Sequence, residues 1–152
     1  MNLTRFVDAQ DIDNIYDQAL AEVRKGDKVT HWMWFVYPQL KALGRSATAK
    51  HFGITSLEEA EAYLDHPVLG PRLRECAWAA AAIEVGRIED AFGSIDTIKL
   101  RSSMTLFEAA DPDEPSFSAV LDRHFDGIRD EATLDLLAST QSPNPHKLPR
   151  RW

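Results

Sequence analysis

Ile12, Ile15, Tyr16, Ala19, Leu20 and Val23 recur at three- and four-residue intervals behind Asp8 or Asp11, and Gly26 follows them. That spacing predicts an amphipathic helix with a polar cap and a glycine stop. The next segment, His31-Trp32-Met33-Trp34-Phe35-Val36-Tyr37-Pro38-Gln39, is too aromatic on every side to face water and reads as a buried helix. Leu43-Gly44-Arg45 reads as a turn, and Ser46 caps a short helix to Phe52 that Gly53 ends. In Ser56-Leu57-Glu58-Glu59 the serine oxygen can accept an amide hydrogen bond while Glu59 bonds back, a capping box opening a helix that ends near Asp65.

His66-Pro67 restarts the chain, because proline suits a first helical turn and its neighbour is pushed out of the helical region. The following helix is expected to run to about Val85. Its Ala77–Ala82 stretch is apolar on all faces, with Trp78 roughly opposite Leu69, Leu73 and Ala80, which predicts a central alanine-rich helix between two layers. After Gly86 the pattern gives a helix from about Asp96 to Ala110 and a loop from Asp111 to Pro115. Ser116 is expected to cap a helix carrying Phe117, Val120, Leu121 and Phe125 that Gly127 stops, and Asp130 to cap a last one carrying Leu134, Leu136 and Leu137. Alternating strand residues with hairpin signals and fixed-period repeats are both missing. The expected fold is all-α: one compact multi-helix domain over residues 1–141, followed by an extended tail, Ser142–Trp152, with three prolines, three Lys or Arg and no acid.

Composition narrows the function classes. The chain has 152 residues, 44% of them hydrophobic and 9% aromatic, enough for one real core. Its net charge of −7 argues against a nucleic-acid partner, since counterion release needs clustered Lys and Arg. The longest apolar run, Cys76–Ile83, is bracketed by Glu75 and Glu84, so no membrane span is expected. A single cysteine, Cys76, cannot close an internal disulfide, which suits a reducing cytoplasm. His31, His51, His66, His124 and His146 never stand at metal-ligand spacing, and neither a phosphate loop nor a dinucleotide fingerprint nor a nucleophile elbow occurs. Neither a metal nor a cofactor is expected.

Candidate chemistry centres on Lys99-Leu100-Arg101-Ser102-Ser103-Met104-Thr105-Leu106-Phe107. On a helical wheel Arg101, Thr105 and Glu108 share the side expected to face solvent, whereas Lys99, Ser102 and Ser103 fall among Ile95, Leu106 and Ala110. An ammonium turned inward needs a carboxylate, carbonyls or an anionic ligand. Arg72 borders the Leu69, Cys76 and Ala80 stripe and is a second cation expected to reach the same interior, although a guanidinium snorkelling to water fits its position as well. His31 and Gln39 flank the aromatic run, and Trp32 or Trp34 offers a flat stacking surface.

The segments His31–Gln39, Leu43–Ser46, Ala62–Leu73 and Lys99–Phe107 together resemble a small bacterial family of unknown function sometimes mislabelled calpastatin. The resemblance runs from Phe6 to about Leu137 and leaves out the basic tail. It implies a compact, mainly helical single domain, and neither a reaction nor a catalytic residue. The calpain-inhibitor label does not suit this chain, because inhibitors of that kind are long, disordered and repetitive.

Three function classes follow. The first is a binding module for an anionic or nucleotide-like small molecule, using Lys99, Arg72, Ser102 and Ser103 for the anion and Trp32 or Trp34 for stacking. The second is a protein-interaction module whose polar core is structurally satisfied, and the third an enzyme with His31 as acid or base. A monomer is favoured over an oligomer.

Overall fold

A computed structural model describes residues 2–140. Thr4–Asp11 forms α1 and Ile15–Lys25 forms α2, with a 3₁₀ turn, Ile12–Asn14, between them. Asp13 and Asn14 take left-handed φ of 53° and 57° there, a region that short polar side chains tolerate better than other L-residues. The single helix expected behind Asp8 or Asp11 is therefore two, and Ile12 lies 58% exposed at the break instead of on the apolar stripe. Gly26 closes α2 at φ +73°: its N–H bonds Val23 O and that of Asp27 bonds Glu22 O, the Schellman arrangement that a left-handed residue permits.

The aromatic run is buried, with Trp32, Met33, Phe35, Val36 and Tyr37 all inside, but only Met33–Val36 is helical, as the single turn α3. After a 3₁₀ turn, Lys41–Leu43, come α4, Ala47–His51, and α5, Leu57–Asp65. Ser46 caps α4 by accepting from Ala49 N at 3.0 Å, and Ser56 caps α5 by accepting from Glu59 N at 3.0 Å. Glu59 bonds back one residue earlier than a capping box requires, to Thr55 N at 2.8 Å. His66 caps the next helix, α6, Leu69–Ala81, its Nδ1 accepting from Val68 N and Leu69 N.

Beyond α6 lie α7, Ile88–Phe92, a short helix with no forecast in the pattern, and α8, Ser94–Ala110. Pro115–His124 is α9, capped by the Glu114 carboxylate on Ser116 N and not by Ser116, whose hydroxyl is buried without a partner. Glu131–Thr140 is α10, capped by Asp130, which accepts from Thr133 N at 3.0 Å. Among the described residues the one β-type pairing is an isolated parallel bridge between Leu40 and Ile54.

Helix α6 packs on α2, α5 and α9, and α8 packs on α5, α7, α9 and α10, so α5 and α9 fill the space between the two long helices. An aromatic chain runs through that space: Phe6 of α1 meets Tyr63 of α5 at 5.1 Å, Tyr63 meets Phe107 of α8 at 5.2 Å, and Phe107 meets Phe117 of α9 at 6.0 Å. Helix α6 is central in this sense, with Cys76, Ala77, Ala79, Ala80 and Ala81 all buried. It ends at Ala81, short of Val85, and Trp78 stands 48% exposed on a flank that no element among the described residues covers. The expected extended tail, Ser142–Trp152, lies outside the described residues.

Candidate functional site

Ile95, Ile98, Lys99 and Ser102 stand at the i, i+3, i+4, i+7 spacing of one helical face, and they form one wall of a cleft of 450 Å³. The opposite wall is the segment around Gln39, Leu43, Gly44 and Arg45, and Asp130 with Ala132 closes one end. Backbone bonds fix that wall: Ile54 N donates to Gln39 O at 2.9 Å, and Lys41 N donates to Ile54 O at 2.8 Å.

Charge at the cleft is only partly matched. Lys99 Nζ lies 3.9 Å from Asp96, whose nearer partner is Lys28 Nζ at 2.9 Å. The same ammonium lies 5.7 Å from the centre of the Trp34 ring. Arg45 makes no ion pair among the described residues. Asp130 is occupied: its Oδ2 accepts from the Thr133 amide and hydroxyl and stands 3.2 Å from Ser102 Oγ. Ser102 Oγ is equally 3.2 Å from Ile98 O, so its one proton serves one of these acceptors at a time.

The residues singled out in the sequence divide into three groups. Lys99, Ser102 and Gln39 come together in the cleft. Trp34 lies half-buried beneath Lys99, with exposed His31 beside it at 6.4 Å between ring centroids. The remaining three are elsewhere. Ser103 is fully buried in the core with its hydroxyl unpartnered. Trp32 is buried too, its indole N–H donating to Glu22 Oε1 at 2.9 Å, so it offers no face to a ligand. Arg72 sits on α6, bonded to Asp11 at 2.8 Å and to Gln10 Oε1 at 3.2 Å, with its guanidinium over the Tyr16 ring. The expectation that Lys99 and Arg72 share one interior is thus corrected, because Arg72 meets α1 and α2 while Lys99 meets the 39–45 wall.

The face of α8 expected to meet solvent is also corrected. Thr105 is buried, Arg101 donates to Ile128 O and Arg129 O, and Glu108 pairs with Arg129, because the 125–130 segment folds back over that side. The open face is the one with Ile95, 69% exposed, and Ile98, 65% exposed. Sequence reasoning missed Arg45, Asp130 and these two isoleucines. The signal that could have found the isoleucines was their common face with Lys99 and Ser102.

Upstream of the site, Glu22 organises the loop that delivers His31–Gln39. Burial alone would raise its carboxyl, but Val29 N, Thr30 N, the Thr30 hydroxyl and the Trp32 indole all donate to it and hold it down to about 2. Other hollows lie among the described residues. One of 730 Å³ exposes Trp78 between Arg24 and Arg87, whose charges are matched by Glu75 and Asp90. Another, of 390 Å³, gathers Arg5, Lys41, Lys50 and His51. No three His, Cys, Asp or Glu side chains converge as a metal would need among the described residues. Among the described residues the cleft lining contains neither histidine nor cysteine, and Cys76 is buried in α6, where burial pushes its thiol up to about 12.

The profile of the family described as "Protein of unknown function (DUF1810)" matches residues 1–137. The chain belongs to this family. Its likeness to a solved structure agrees: the conserved hypothetical protein Rv1873 from Mycobacterium tuberculosis is 48% identical, with a TM-score of 0.85 over 90% of this chain and 96% of the other. No curated protein matches. The solved neighbour thus shares this helical fold over nearly the whole chain, and the description of the family assigns no function.

Proposed function

We propose that the protein is a binding module for a small anionic molecule, held in the cleft between the first turns of α8 and the 39–45 wall. One observation carries this reading: Lys99 and Arg45 line a single concavity whose lining carboxylate, Asp130, is engaged by the start of α10, while the neighbouring Asp96 is held by Lys28. Cations left without close partners repel one another, and an anion that settles between them is favoured by both. Gln39 adds an amide beside them. The volume lies within the range of small-molecule sites, roughly 300–1,000 Å³. Arg72, Trp32 and Ser103 take no part, being engaged or enclosed elsewhere.

The test is a thermal-shift and calorimetric screen of phosphate, nucleotides and carboxylates against the wild type and three variants. A bound anion raises the melting temperature by mass action. Lys99→Met is expected to abolish the shift, Arg72→Met to leave it unchanged, and the double change Lys41→Ala, Lys50→Ala to leave it unchanged. If no anion stabilises the wild type the reading fails, and if the Lys41, Lys50 variant alone loses the shift the site is the other basic hollow.

We place this module in the cytoplasm of a bacterium. The mycobacterial source of the neighbouring structure and a free buried thiol support that placement. Among the described residues no helix is long and apolar enough to cross a membrane.

A further inference from the structure

We propose that the ligand of this cleft is a monoanionic aliphatic acid, a carboxylate on an apolar chain or ring, and not a nucleotide. The inference rests on the anion-binding reading above and names its ligand class. Three features of the cleft converge on it.

The first is the wall. Leu43, Ile95 and Ile98 line the cleft, and the two isoleucines stand open although they share a helix with a full core face. Two large aliphatic side chains left in water beside two cations form a surface with an apolar half and a charged end, which an amphipathic acid matches along its length. The second is the absence of a stacking platform. Among the described residues the lining holds no aromatic ring, Trp32 is sealed in the core, and Trp34 already carries the Lys99 ammonium over its ring. A purine or pyrimidine would find aliphatic walls where it needs a flat π-face.

The third feature is charge. Of the charged residues lining the cleft, Lys99 and Arg45 stand against Asp130, and the neighbouring Lys28–Asp96 pair cancels, which leaves a surplus of one positive charge. A carboxylate balances that surplus. A phosphate dianion would overshoot it and bring its second charge towards Asp130, whose like charge opposes it. The carboxylate oxygens would take Lys99 and Arg45 as charge-assisted donors, with the Gln39 amide completing the set, while the apolar body lies along Ile95 and Ile98.

Isothermal titration at pH 7 with butyrate, hexanoate, octanoate, octyl phosphate, AMP and inorganic phosphate tests the proposal. Affinity is expected to rise about threefold to fourfold per added methylene from butyrate to octanoate. Octanoate should bind at least as tightly as octyl phosphate. Lys99→Met should weaken octanoate about tenfold or more. Ile98 is exposed, so Ile98→Ser is expected to fold normally, and it should flatten the chain-length series. If AMP, phosphate or octyl phosphate binds in a Lys99-dependent way and the carboxylates do not, the ligand class is overturned while the anion site stands. If no probe binds, both are overturned. If octanoate binds equally well to Lys99→Met, it is sticking to apolar surface and the proposal also fails.

Discussion

Glu22 shows how much one side chain can hold. It sits in the last turns of α2, and its carboxylate gathers two backbone amides, a hydroxyl and an indole from the loop that leads into the aromatic run. Nothing in the pattern of α2 announces this role, because a glutamate there reads as an ordinary polar position until the chain seven to ten residues on is known to fold back. Glu22→Ala leaves the buried Trp32 indole and the part-buried donors of Val29 and Thr30 without this acceptor and is expected to cost about 2–3 kcal/mol in urea unfolding. The linkage to pH is definite in sign. The carboxyl titrates lower in the folded chain than in the unfolded one, so its contribution is present above about pH 4.5 and disappears as pH falls towards 2. His124 acts earlier on the same side: burial lowers its pKa below 6.5, with Nε2 bonded to Ala80 O at 2.8 Å and Nδ1 buried without a partner. Unfolding therefore takes up a proton there as pH drops below 6.5. Stability measured from pH 8 to pH 3 should fall in two stages, and the first stage should vanish in His124→Gln; a flat profile down to pH 5 would refute the His124 part.

At the scale of elements, caps were the most legible features and covered faces the least. Ser46, Ser56, His66 and Asp130 cap as their local sequence requires, since a cap needs only three or four adjacent residues. The α8 wheel, in contrast, gave the phases of Lys99 and Arg101 correctly and the environment of Arg101 wrongly. A wheel fixes which residues lie together, and only the path of the remaining chain decides which side is covered. The break at Asp13 and Asn14 and the early end of α6 have the same origin, being settled by packing that no window of ten residues contains. The 39–54 segment makes the point testable. A Cβ on Gly53 would stand 2.3 Å from Lys41 Cα, backbone against backbone, at the bridge that holds the outer wall of the cleft. Gly53→Ala is expected to push the two segments apart and to cost about 1–3 kcal/mol, the usual range for overpacking. Ligand affinity should drop with it. Retention of both stability and binding would show that the bridge does not support the cleft.

For the molecule as a whole, α6 and α8 behave as two long struts with α5 and α9 between them, and Cys76 lies on the first strut with no exposed surface. The thiol is pushed up to about 12 chiefly by burial, so its reactive thiolate form is scarce as well as hidden. Local opening is a poor route to it. Its neighbours Leu73, Ala77 and Ala80 are buried along the same stripe, and the backbone carbonyl of Cys76 accepts the Tyr37 hydroxyl at 2.7 Å. Freeing the sulfur therefore requires α6 to separate from α2, α5 and α9 together, which is close to global unfolding. Labelling by an excess of a thiol reagent in native buffer should then be slower than for an unfolded control by the unfolding equilibrium constant, on the order of 10³–10⁸ for a small domain. The rate should rise with urea along the same slope as the main unfolding transition. It should also fall further when a cleft ligand is present, because any molecule that binds only the native state lowers the open population by mass action. Native labelling within seconds, or a rate indifferent to urea, would mean that α6 opens on its own and that the two struts do not act as one unit.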